Sequence, residues 1–197
     1  YSSLQVRPGW LFAALRGGKS DGLKYIDEAL DRGAAAVLSE APRPEGRPTA
    51  WIRALDPREA LALAAANFHD HPSMKLKVVG VTGTKGKTTV TYLLESILTR
   101  AGFVPGVIGT INYRWADRVQ PAARTTPEAP DIQGLLAQMV DSGRRYAVLE
   151  ATSHGLSKRT ARLADVRFRV AACTNITHEH LEFHGSFAQY RSDKANL

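Results

Sequence analysis

Val79-Gly80-Val81-Thr82-Gly83-Thr84-Lys85-Gly86-Lys87-Thr88-Thr89 is a glycine-rich stretch that joins two segments of different periodicity. A β-rich apolar run over residues 76–81 leads into it. After it, apolar residues recur at helical spacing, at Leu93, Leu94, Ile97, Leu98 and Ala101. Strand, glycine turn and helix form the context of a phosphate-binding loop, because glycine lets backbone N–H groups close around phosphate oxygens at a helix N-terminus. The stretch therefore predicts a nucleotide site.

Two side chains of this loop carry the predicted chemistry. Lys87 is expected to reach the β- and γ-phosphates, and the Thr88 hydroxyl is expected to bind Mg²⁺. The spacing departs from the usual pattern, because Gly80 lies six residues before Gly86 where the common form has five. A glycine-rich turn without a ligand is the alternative interpretation.

The composition is that of a globular protein. Of the 197 residues 44% are apolar and 23% are charged, so we do not expect disorder. The net charge of +7 comes from scattered basic residues, which favours an anionic small molecule over nucleic acid as the partner. The single cysteine, Cys173, cannot form an internal disulfide, which fits a reducing compartment.

No apolar run is long enough to span a membrane, and no signal peptide is visible in the sequence. We therefore expect a cytoplasmic monomer with no membrane or nucleic-acid partner. The chain begins at Tyr1 and not at methionine, so we expect that its native start has been removed.

Residues 1–72 predict a small α/β unit. Short strands are expected over residues 10–15, 35–38 and 51–52, with a helix that Asp21 caps and Gly33 ends. Asp56-Pro57-Arg58-Glu59 predicts the start of a second helix, which runs to about Phe68. His71-Pro72-Ser73 breaks that helix, and we place the domain boundary there.

Residues 73–197 alternate strands and helices, which predicts a parallel sheet and an α/β fold. The helix after the glycine loop is expected to end at Gly102, and strands are expected over residues 104–108, 146–149 and 166–173, the last two buried. Thr126-Pro127-Glu128 begins a helix that Gly143 ends. Ser186 and Gln189 form a capping box for a last helix, on which Tyr190 and Lys194 share a face.

Polar residues stand where predicted strands end. In a parallel α/β sheet, ligands collect at the carboxyl ends of the strands. Glu150 ends one apolar strand and Thr174-Asn175 ends another, so both are predicted to lie near the glycine loop. A carboxylate in this place is expected to hold Mg²⁺ beside the phosphates. A solvated acid at the strand end is the alternative.

Two further patterns suggest chemistry that their spacing does not support. His178, His180 and His184 lack the H-E-x-x-H spacing of a zinc site, and solvated loop histidines are the alternative for the first and third. Ser153-His154 is not expected to act as a hydrolase pair, because neighbours in an extended segment point to opposite faces. No G-x-S-x-G motif surrounds them.

Four motifs resemble those of the Mur ligases, in the same order along the chain. They are Gly83-Thr84-Lys85-Gly86-Lys87-Thr88-Thr89, Thr125-Thr126-Pro127-Glu128, Glu150-Ala151-Thr152-Ser153-His154-Gly155-Leu156, and Thr174-Asn175-Ile176-Thr177-His178-Glu179-His180-Leu181-Glu182-Phe183-His184-Gly185. Tyr190 and Lys194 complete the pattern. The opening, with Ser3, Val6-Arg7-Pro8-Gly9, Leu11-Phe12 and Asp21-Gly22, is similar to the uridine-nucleotide domain of the branch that adds the third amino acid of the peptidoglycan stem peptide.

This resemblance implies three domains. Residues 1–72 would bind the UDP end of the substrate, and residues 73–197 would form an incomplete central ATPase domain. A third domain, which binds the incoming amino acid, is expected to be absent from this chain. The fragment alone is therefore expected to be inactive.

The resemblance also implies a set of site residues. ATP would be bound by Gly83, Thr84, Lys85, Gly86, Lys87, Thr88 and Thr89. The uridine nucleotide would be bound by Ser3, Gly18, Lys19 and Ser20, and the muramoyl-peptide by Thr125, Thr126, Thr152 and Lys158. The Mg²⁺ ligands would be Thr88, Glu150, His180 and Lys194, the last carbamylated by CO₂. Lys87, His180 and Lys194 would be the catalytic residues.

The sequence departs from the family pattern in two places. Ser2-Ser3-Leu4 replaces an Asp-Ser-Arg sequence near the uridine. Lys158 and Thr160 stand where a glutamine and an arginine that contact the substrate are usual, and Arg159 and Arg162 are the candidates to replace that arginine.

The implied function is ATP-dependent ligation. ATP would phosphorylate the γ-carboxylate of D-Glu in UDP-MurNAc-L-Ala-D-Glu, and the amine of lysine, diaminopimelate or ornithine would attack the acyl phosphate. The choice among these amino acids is left open, because the selecting residues belong to the third domain. Two alternatives remain, another ligase of the superfamily such as folylpolyglutamate synthase, and a non-catalytic module that binds UDP-muropeptide.

Overall fold

The computed structural model describes residues 2–17, 21–46 and 49–197. The chain divides into two compact units, Tyr1–Leu61 and Ala62–Leu197, each of which has its own sheet. This division falls inside the second α-helix. The boundary at residues 72 and 73 stays a prediction.

The first unit contains a three-stranded parallel sheet in the order β1-β2-β3. Its strands are β1 (Leu11–Ala13), β2 (Ala36–Ser39) and β3 (Ala50–Arg53), and its first helix is α1 (Ile26–Asp31). Asp21 caps the 3-10 turn that leads into α1, since its side chain accepts from the backbone N–H of Leu23 at 3.0 Å. Phe12 and Val37 are buried between the sheet and α1. These are the elements that the sequence predicts, except that β1 is shorter than expected, β2 is shifted by one residue and β3 is longer.

Helix α2 (Pro57–Phe68) begins at the predicted cap. The Asp56 carboxylate accepts from the backbone N–H groups of Arg58 at 2.9 Å and Glu59 at 3.0 Å. Pro57 occupies the first helical position, where its missing N–H group removes no helical hydrogen bond. The predicted start and end of this helix are therefore confirmed.

The second unit is built on a six-stranded sheet in the order β7-β6-β5-β8-β4-β9. Its strands are β4 (Lys77–Thr82), β5 (Gly106–Ile108), β6 (Asn112–Trp115), β7 (Arg118–Pro121), β8 (Tyr146–Glu150) and β9 (Phe168–Cys173). Its helices are α3 (Pro72–Lys75), α4 (Lys87–Arg100), α5 (Ala129–Asp141), α6 (Ser153–Leu156), α7 (Leu181–His184) and α8 (Phe187–Lys194). Strands β5, β8, β4 and β9 are parallel, which confirms the α/β class.

Helix α5 supplies much of the core beside this sheet. Its residues Ile132, Leu136 and Met139 are fully buried, and they belong to one apolar cluster with Ile108 of β5 and Leu149 of β8. Each fully buried side chain of this size stabilises the fold by roughly 1.5–3 kcal/mol. The packing fixes the carboxyl ends of β5 and β8, where polar residues follow.

Two features of the second sheet differ from the expectation. The antiparallel hairpin of β6 and β7 is not predicted by the sequence analysis, although Tyr113 and Trp115 are buried in alternation with more exposed residues. Strand β9 lies at the edge of the sheet among the described residues, and Val170 is half exposed there, so the predicted buried strand is wrong. In the part of the chain that the structure describes, no helix has the length and apolar character needed to cross a bilayer.

Candidate nucleotide and substrate site

The glycine-rich loop connects the carboxyl end of β4 to the N-terminus of α4, as predicted. Gly86 is the residue before the helix, with a φ of 85° that favours glycine. A side chain at Gly83 would collide with the Thr174 hydroxyl. Asn175, two residues after the end of β9, holds the loop in place. Its carbonyl accepts from the Thr84 N–H at 2.8 Å, and its side-chain oxygen accepts from the Lys85 N–H at 3.0 Å.

The Lys87 ammonium lies over this loop. It donates to the backbone carbonyls of Gly83 at 2.7 Å and Thr84 at 3.0 Å. Burial lowers the pKa of Lys87, against the opposing effect of the Glu150 and Glu179 carboxylates. The cation is thus placed where a phosphate held by the loop would meet it.

Glu150, at the end of β8, is 1% exposed, so the alternative interpretation as a solvated acid at the strand end is wrong. One carboxylate oxygen accepts from the Thr110 N–H at 3.0 Å. The other accepts from the hydroxyls of Thr110 at 2.8 Å and Thr88 at 3.0 Å. A side chain at Gly109 would lie 2.5 Å from the carboxylate, so glycine is needed for this approach.

Thr110 is a site residue that the sequence analysis missed. Its hydroxyl also lies 3.1 Å from the Thr125 hydroxyl and 3.4 Å from the Thr88 hydroxyl. Its position just after β5, which neighbours β8 in the parallel sheet, was the available signal.

The Thr88 and Glu150 pair fits a magnesium ion. Mg²⁺ prefers hard oxygen ligands and is commonly bound through one or two carboxylates together with phosphate oxygens and water. Among residues 2–17, 21–46 and 49–197, no group of three or more His, Cys, Asp or Glu side chains could hold a metal ion. An ion at this position would therefore complete its shell with phosphate oxygens and water.

The threonines that the resemblance assigns to the muramoyl-peptide converge on the same strand end. The Thr126 hydroxyl donates to the Glu150 carbonyl at 2.8 Å. It also accepts from the backbone N–H of Thr152 at 3.1 Å and from the Thr152 hydroxyl at 3.0 Å. The loop before α5 and the loop after β8 are therefore joined directly behind the Glu150 carboxylate.

A cleft of about 450 Å³ separates these threonines from the phosphate loop. It is lined by Gly83, Lys87, Arg124, Thr125, Thr126, Thr152, Ser153, His154, Arg162, Glu179, His180, Tyr190 and Lys194. Lys158 is exposed and is not part of this lining, so its role in substrate binding stays a prediction.

The predicted uridine-binding residues belong to the first unit. Ser3 is buried in a 3-10 turn, Ser3–Gln5. Gly18, Lys19 and Ser20 lie outside the described residues. The uridine site thus stays a prediction.

The structure distinguishes the two arginines that were candidates for the substrate contact. Arg162 lines the cleft, where it pairs with Glu128 at 2.9 Å and donates to the Thr126 carbonyl at 3.3 Å. Arg159 instead donates to the Phe183 carbonyl at 2.5 Å, away from the lining. Arg162 therefore has the position needed to meet an anionic group in the cleft.

Lys194 is buried, with 3% exposure, and is not the solvated residue that most helix lysines are. Its ammonium donates to the Gly83 carbonyl at 2.8 Å and lies 4.8 Å from the ring of Tyr190, which confirms their shared helix face. Burial, and then the charge of Lys87, lower the pKa of Lys194 to about 8. A larger fraction of this amine is neutral at physiological pH than for a solvated lysine.

The histidines differ most from the expectation. His184 is buried at the end of α7 and is not a solvated loop residue. Ser153 and His154 lie on α6 and both line the cleft, so the extended-segment argument was wrong. His180 is 44% exposed and lies 3.4 Å from Glu182. Burial, and then the neighbouring His180 and His184, lower the pKa of His154 to about 4.

Comparison with known proteins agrees with this arrangement. A sequence profile described as Mur ligase middle domain matches residues 81–197, and one described as Mur ligase family, catalytic domain matches residues 1–69. The UDP-N-acetylmuramyl-tripeptide synthetase of Roseiflexus sp. (strain RS-1) is 48% identical over 200 aligned residues, which cover 100% of this chain and 39% of the relative. This chain thus spans about two fifths of the length of the curated relatives it matches.

Two solved structures share the fold. A UDP-N-acetylmuramoyl-L-alanyl-D-glutamate--2,6-diaminopimelate ligase gives a TM-score of 0.80 at 28% identity, over 98% of this chain and 39% of that one. A MurF ligase from Thermotoga maritima, in complex with ADP, gives a TM-score of 0.64 at 26% identity, over 99% of this chain and 41% of that one. Since the middle-domain profile alone covers more than half of the residues, this chain belongs to the Mur ligase family.

Proposed function

We propose that this chain is the nucleotide-binding part of a ligase that uses ATP to add the third amino acid to UDP-MurNAc-L-Ala-D-Glu. The observation that carries the proposal is a single cleft with two chemically different walls. One wall presents Lys87 and the phosphate loop, and the other presents Thr126, Thr152 and Arg162. Glu150 is hydrogen-bonded to Thr88 on the nucleotide side and, through its carbonyl, to Thr126.

This arrangement supports the following reaction. A carboxylate of the muropeptide would lie against the threonine wall, oriented by Arg162, with the γ-phosphate of ATP on the opposite wall. Phosphoryl transfer to the carboxylate gives an acyl phosphate, and attack by the amine of an amino acid releases phosphate. The protein contributes positioning and the neutralisation of charge, mainly through Lys87 and the N-terminus of α4.

Magnesium would supply charge neutralisation of the phosphate oxygens. Thr88 and Glu150 would hold one ion, and His180 with a carbamylated Lys194 would hold a second. The lowered pKa of Lys194 favours the neutral amine that adds CO₂. The resulting carbamate offers hard oxygen ligands of the kind that Mg²⁺ prefers.

The phosphate side can be tested on this chain and in the full-length protein. Lys87→Ala should weaken ATP binding to the 197-residue chain and abolish phosphate release by the full-length enzyme, with an unchanged circular dichroism spectrum. Lys77→Ala, on the exposed start of β4, is the control and should behave as wild type. Wild-type turnover in Lys87→Ala would contradict the proposal.

The substrate side separates the alternatives. Isothermal titration should show binding of UDP-MurNAc-L-Ala-D-Glu and none of a folate, and Arg162→Ala should weaken the former. Preferential binding of folate would favour a folylpolyglutamate synthase. UDP-muropeptide binding without phosphate release, with lysine, diaminopimelate and ornithine each supplied, would favour a non-catalytic module. We also propose that the full-length enzyme is a cytoplasmic monomer, which light scattering and cell fractionation would check.

A further inference from the structure

A Ser–His–Asp relay is buried beside the cleft. The Ser153 hydroxyl lies 3.1 Å from Nε2 of His184, and Nδ1 of His184 lies 2.6 Å from the Asp193 carboxylate. The His184 side chain is 0% exposed and that of Asp193 is 4% exposed. The three residues come from the consecutive helices α6, α7 and α8, and the histidine of the relay is His184 and not the His154 that follows Ser153 in the sequence.

The hydrogen bonds give this relay a direction. An ionised carboxylate can only accept, so the Asp193 carboxylate holds the proton on Nδ1 of His184 and leaves Nε2 free to accept from Ser153. The other oxygen of Asp193 accepts from the Gln189 side chain at 3.1 Å. Hydrogen-bond donation therefore starts at the Ser153 hydroxyl, passes through the His184 imidazole and ends at the Asp193 carboxylate.

The imidazole is also fixed in place by its neighbours. The rings of Phe183, Tyr190 and His154 pack around His184, with centroids 4.7, 5.2 and 5.4 Å away. Of the three relay members, Ser153 lines the cleft. Ser153, which is 2% exposed, is therefore the relay member through which a proton from a ligand in the cleft would enter.

We propose that Ser153, His184 and Asp193 remove the proton of the attacking amine during amide formation. This inference rests on the proposed ligase function. As the nitrogen bonds to the acyl carbon and the carbon–oxygen bond to phosphate breaks, the N–H proton passes to the Ser153 oxygen. The proton of that hydroxyl passes at the same time to Nε2 of His184. The imidazolium is stabilised by Asp193, and its proton returns through Ser153 to phosphate or solvent after the product forms.

The other titratable groups that the structure describes on the cleft lining are less suited to this task. His154, with a pKa of about 4, is too weak a base near neutral pH. Glu179 is paired with Lys85 at 2.7 Å, which lowers the pKa of the Glu179 carboxylate. His180 is assigned to a metal ion in the proposed function. The remaining charged groups there are the cations Lys87, Arg124 and Arg162, together with Lys194, which the proposed function assigns as a carbamate to a metal ion.

The test separates the two half-reactions of the full-length enzyme. Acyl phosphate formation is measured as positional isotope exchange in bridge-labelled ATP with UDP-MurNAc-L-Ala-D-Glu, and amide formation is measured as tripeptide product. Ser153→Ala removes the hydroxyl that contacts His184, and His184→Asn keeps an N–H donor for Asp193 but has no atom in the position of Nε2 to accept from Ser153. We expect both to slow amide formation by about 10²–10⁴-fold, the usual contribution of general base catalysis, with isotope exchange unchanged.

A second nucleophile distinguishes proton removal from a structural role. Hydroxylamine is a weaker base than an amino acid amine and needs less help to lose its proton, so its capture of the acyl phosphate should stay near the wild-type rate in both variants. Ser157→Ala is the matched control, because Ser157 is also buried near α6 but its hydroxyl accepts from the Arg159 N–H. It should leave both half-reactions unchanged.

Each outcome decides the matter. Amide formation at the wild-type rate in Ser153→Ala, or loss of isotope exchange and hydroxylamine capture together with amide formation, would overturn the relay. If His184→Asn does not fold, the result for Ser153→Ala decides alone. A wild-type enzyme without isotope exchange would instead contradict the proposed function, which keeps the two failures distinguishable.

Discussion

Replacing Thr126 by valine tests whether hydrogen bonds hold the two loops of the substrate wall together. The Thr126 hydroxyl is buried and takes part in three hydrogen bonds, one to the Glu150 carbonyl and two from Thr152. Valine has nearly the same shape, so the change removes the hydroxyl and leaves its partners unsatisfied. At about 1 kcal/mol for each of the three bonds, with an added penalty of about 1 kcal/mol for a stranded backbone group, the loss is about 3–5 kcal/mol.

Thr91 of α4 provides a matched control for the same substitution. It is 0% exposed, and its hydroxyl has no hydrogen-bond partner among the described residues. Threonine and valine have similar helix propensities. Because burying an unpaired hydroxyl costs about 1–3 kcal/mol, Thr91→Val should be neutral or should stabilise the fold by about 1 kcal/mol.

Urea unfolding followed by tryptophan fluorescence can measure both variants. The chain has three tryptophans, and Trp115 is the one within Ala62–Leu197, so replacing Trp10 and Trp51 by phenylalanine isolates the signal of this unit. With a denaturant slope of about 2 kcal/mol per molar urea, the midpoints of Thr126→Val and Thr91→Val should lie about 2 M apart. Equal midpoints would refute the reasoning, because they would mean that three buried hydrogen bonds contribute no more than an unpaired hydroxyl.

Two further changes test other parts of the site. The unfolded chain binds a proton at Lys194 up to a pKa near 10.5, whereas the folded chain releases it at about 8. The free energy of unfolding should therefore rise with pH between these values. Lys194→Met should remove that slope in carbonate-free buffer and stabilise the chain below pH 8 by up to about 3 kcal/mol; an unchanged pH profile of chemical denaturation would contradict this. Gly109→Ala should displace the Glu150 carboxylate and weaken Mn²⁺ binding with nucleotide, measured by calorimetry, whereas Gly134→Ala on α5, where an added Cβ comes no closer than 3.7 Å to a neighbour, should not.

The elements set by local chemistry were predictable from the sequence. Asp56 followed by Pro57 placed the start of α2 correctly, because a cap and a first-turn proline act within four residues. The glycine-rich turn after β4 and the stop of α5 before Gly143 followed for the same reason. Each depends on backbone conformation that a few neighbouring residues determine.

The contacts that build the site are long-range, and local patterns do not contain them. Glu150 is 40 residues from Thr110 and 24 from Thr126, so no helical or strand period links these residues. Ser153 and His184 are 31 residues apart. Local patterns place each of these residues near a strand end or on a loop, but they do not place it against its partner.

Helix α4 shows a second limit of pattern reading. The apolar residues after the glycine loop fall on one face of the helix. Two of them, Leu93 and Ile97, are nevertheless 57% and 62% exposed, whereas Thr91 is fully buried. The start of α4 is fixed by the phosphate loop, and that constraint sets the rotation of the helix. Burial is then decided by the loop and not by the apolar face alone.

Two lysines of the cleft are held by a backbone carbonyl, although the Glu150 and Glu179 carboxylates oppose the lowering of the pKa of Lys87. Lys87 and Lys194 both donate to the Gly83 carbonyl, at 2.7 and 2.8 Å, and neither forms an ion pair among the described residues. Lys85, which is exposed, is instead paired with Glu179. A neutral carbonyl fixes each ammonium without cancelling its charge. A carbonyl is also a weaker partner than a carboxylate, so an entering phosphate can displace it more easily. Burial, and then the charge of Lys87, lower the pKa of Lys194, so the charged amine destabilises the fold, and an anionic ligand would relieve part of that cost on binding.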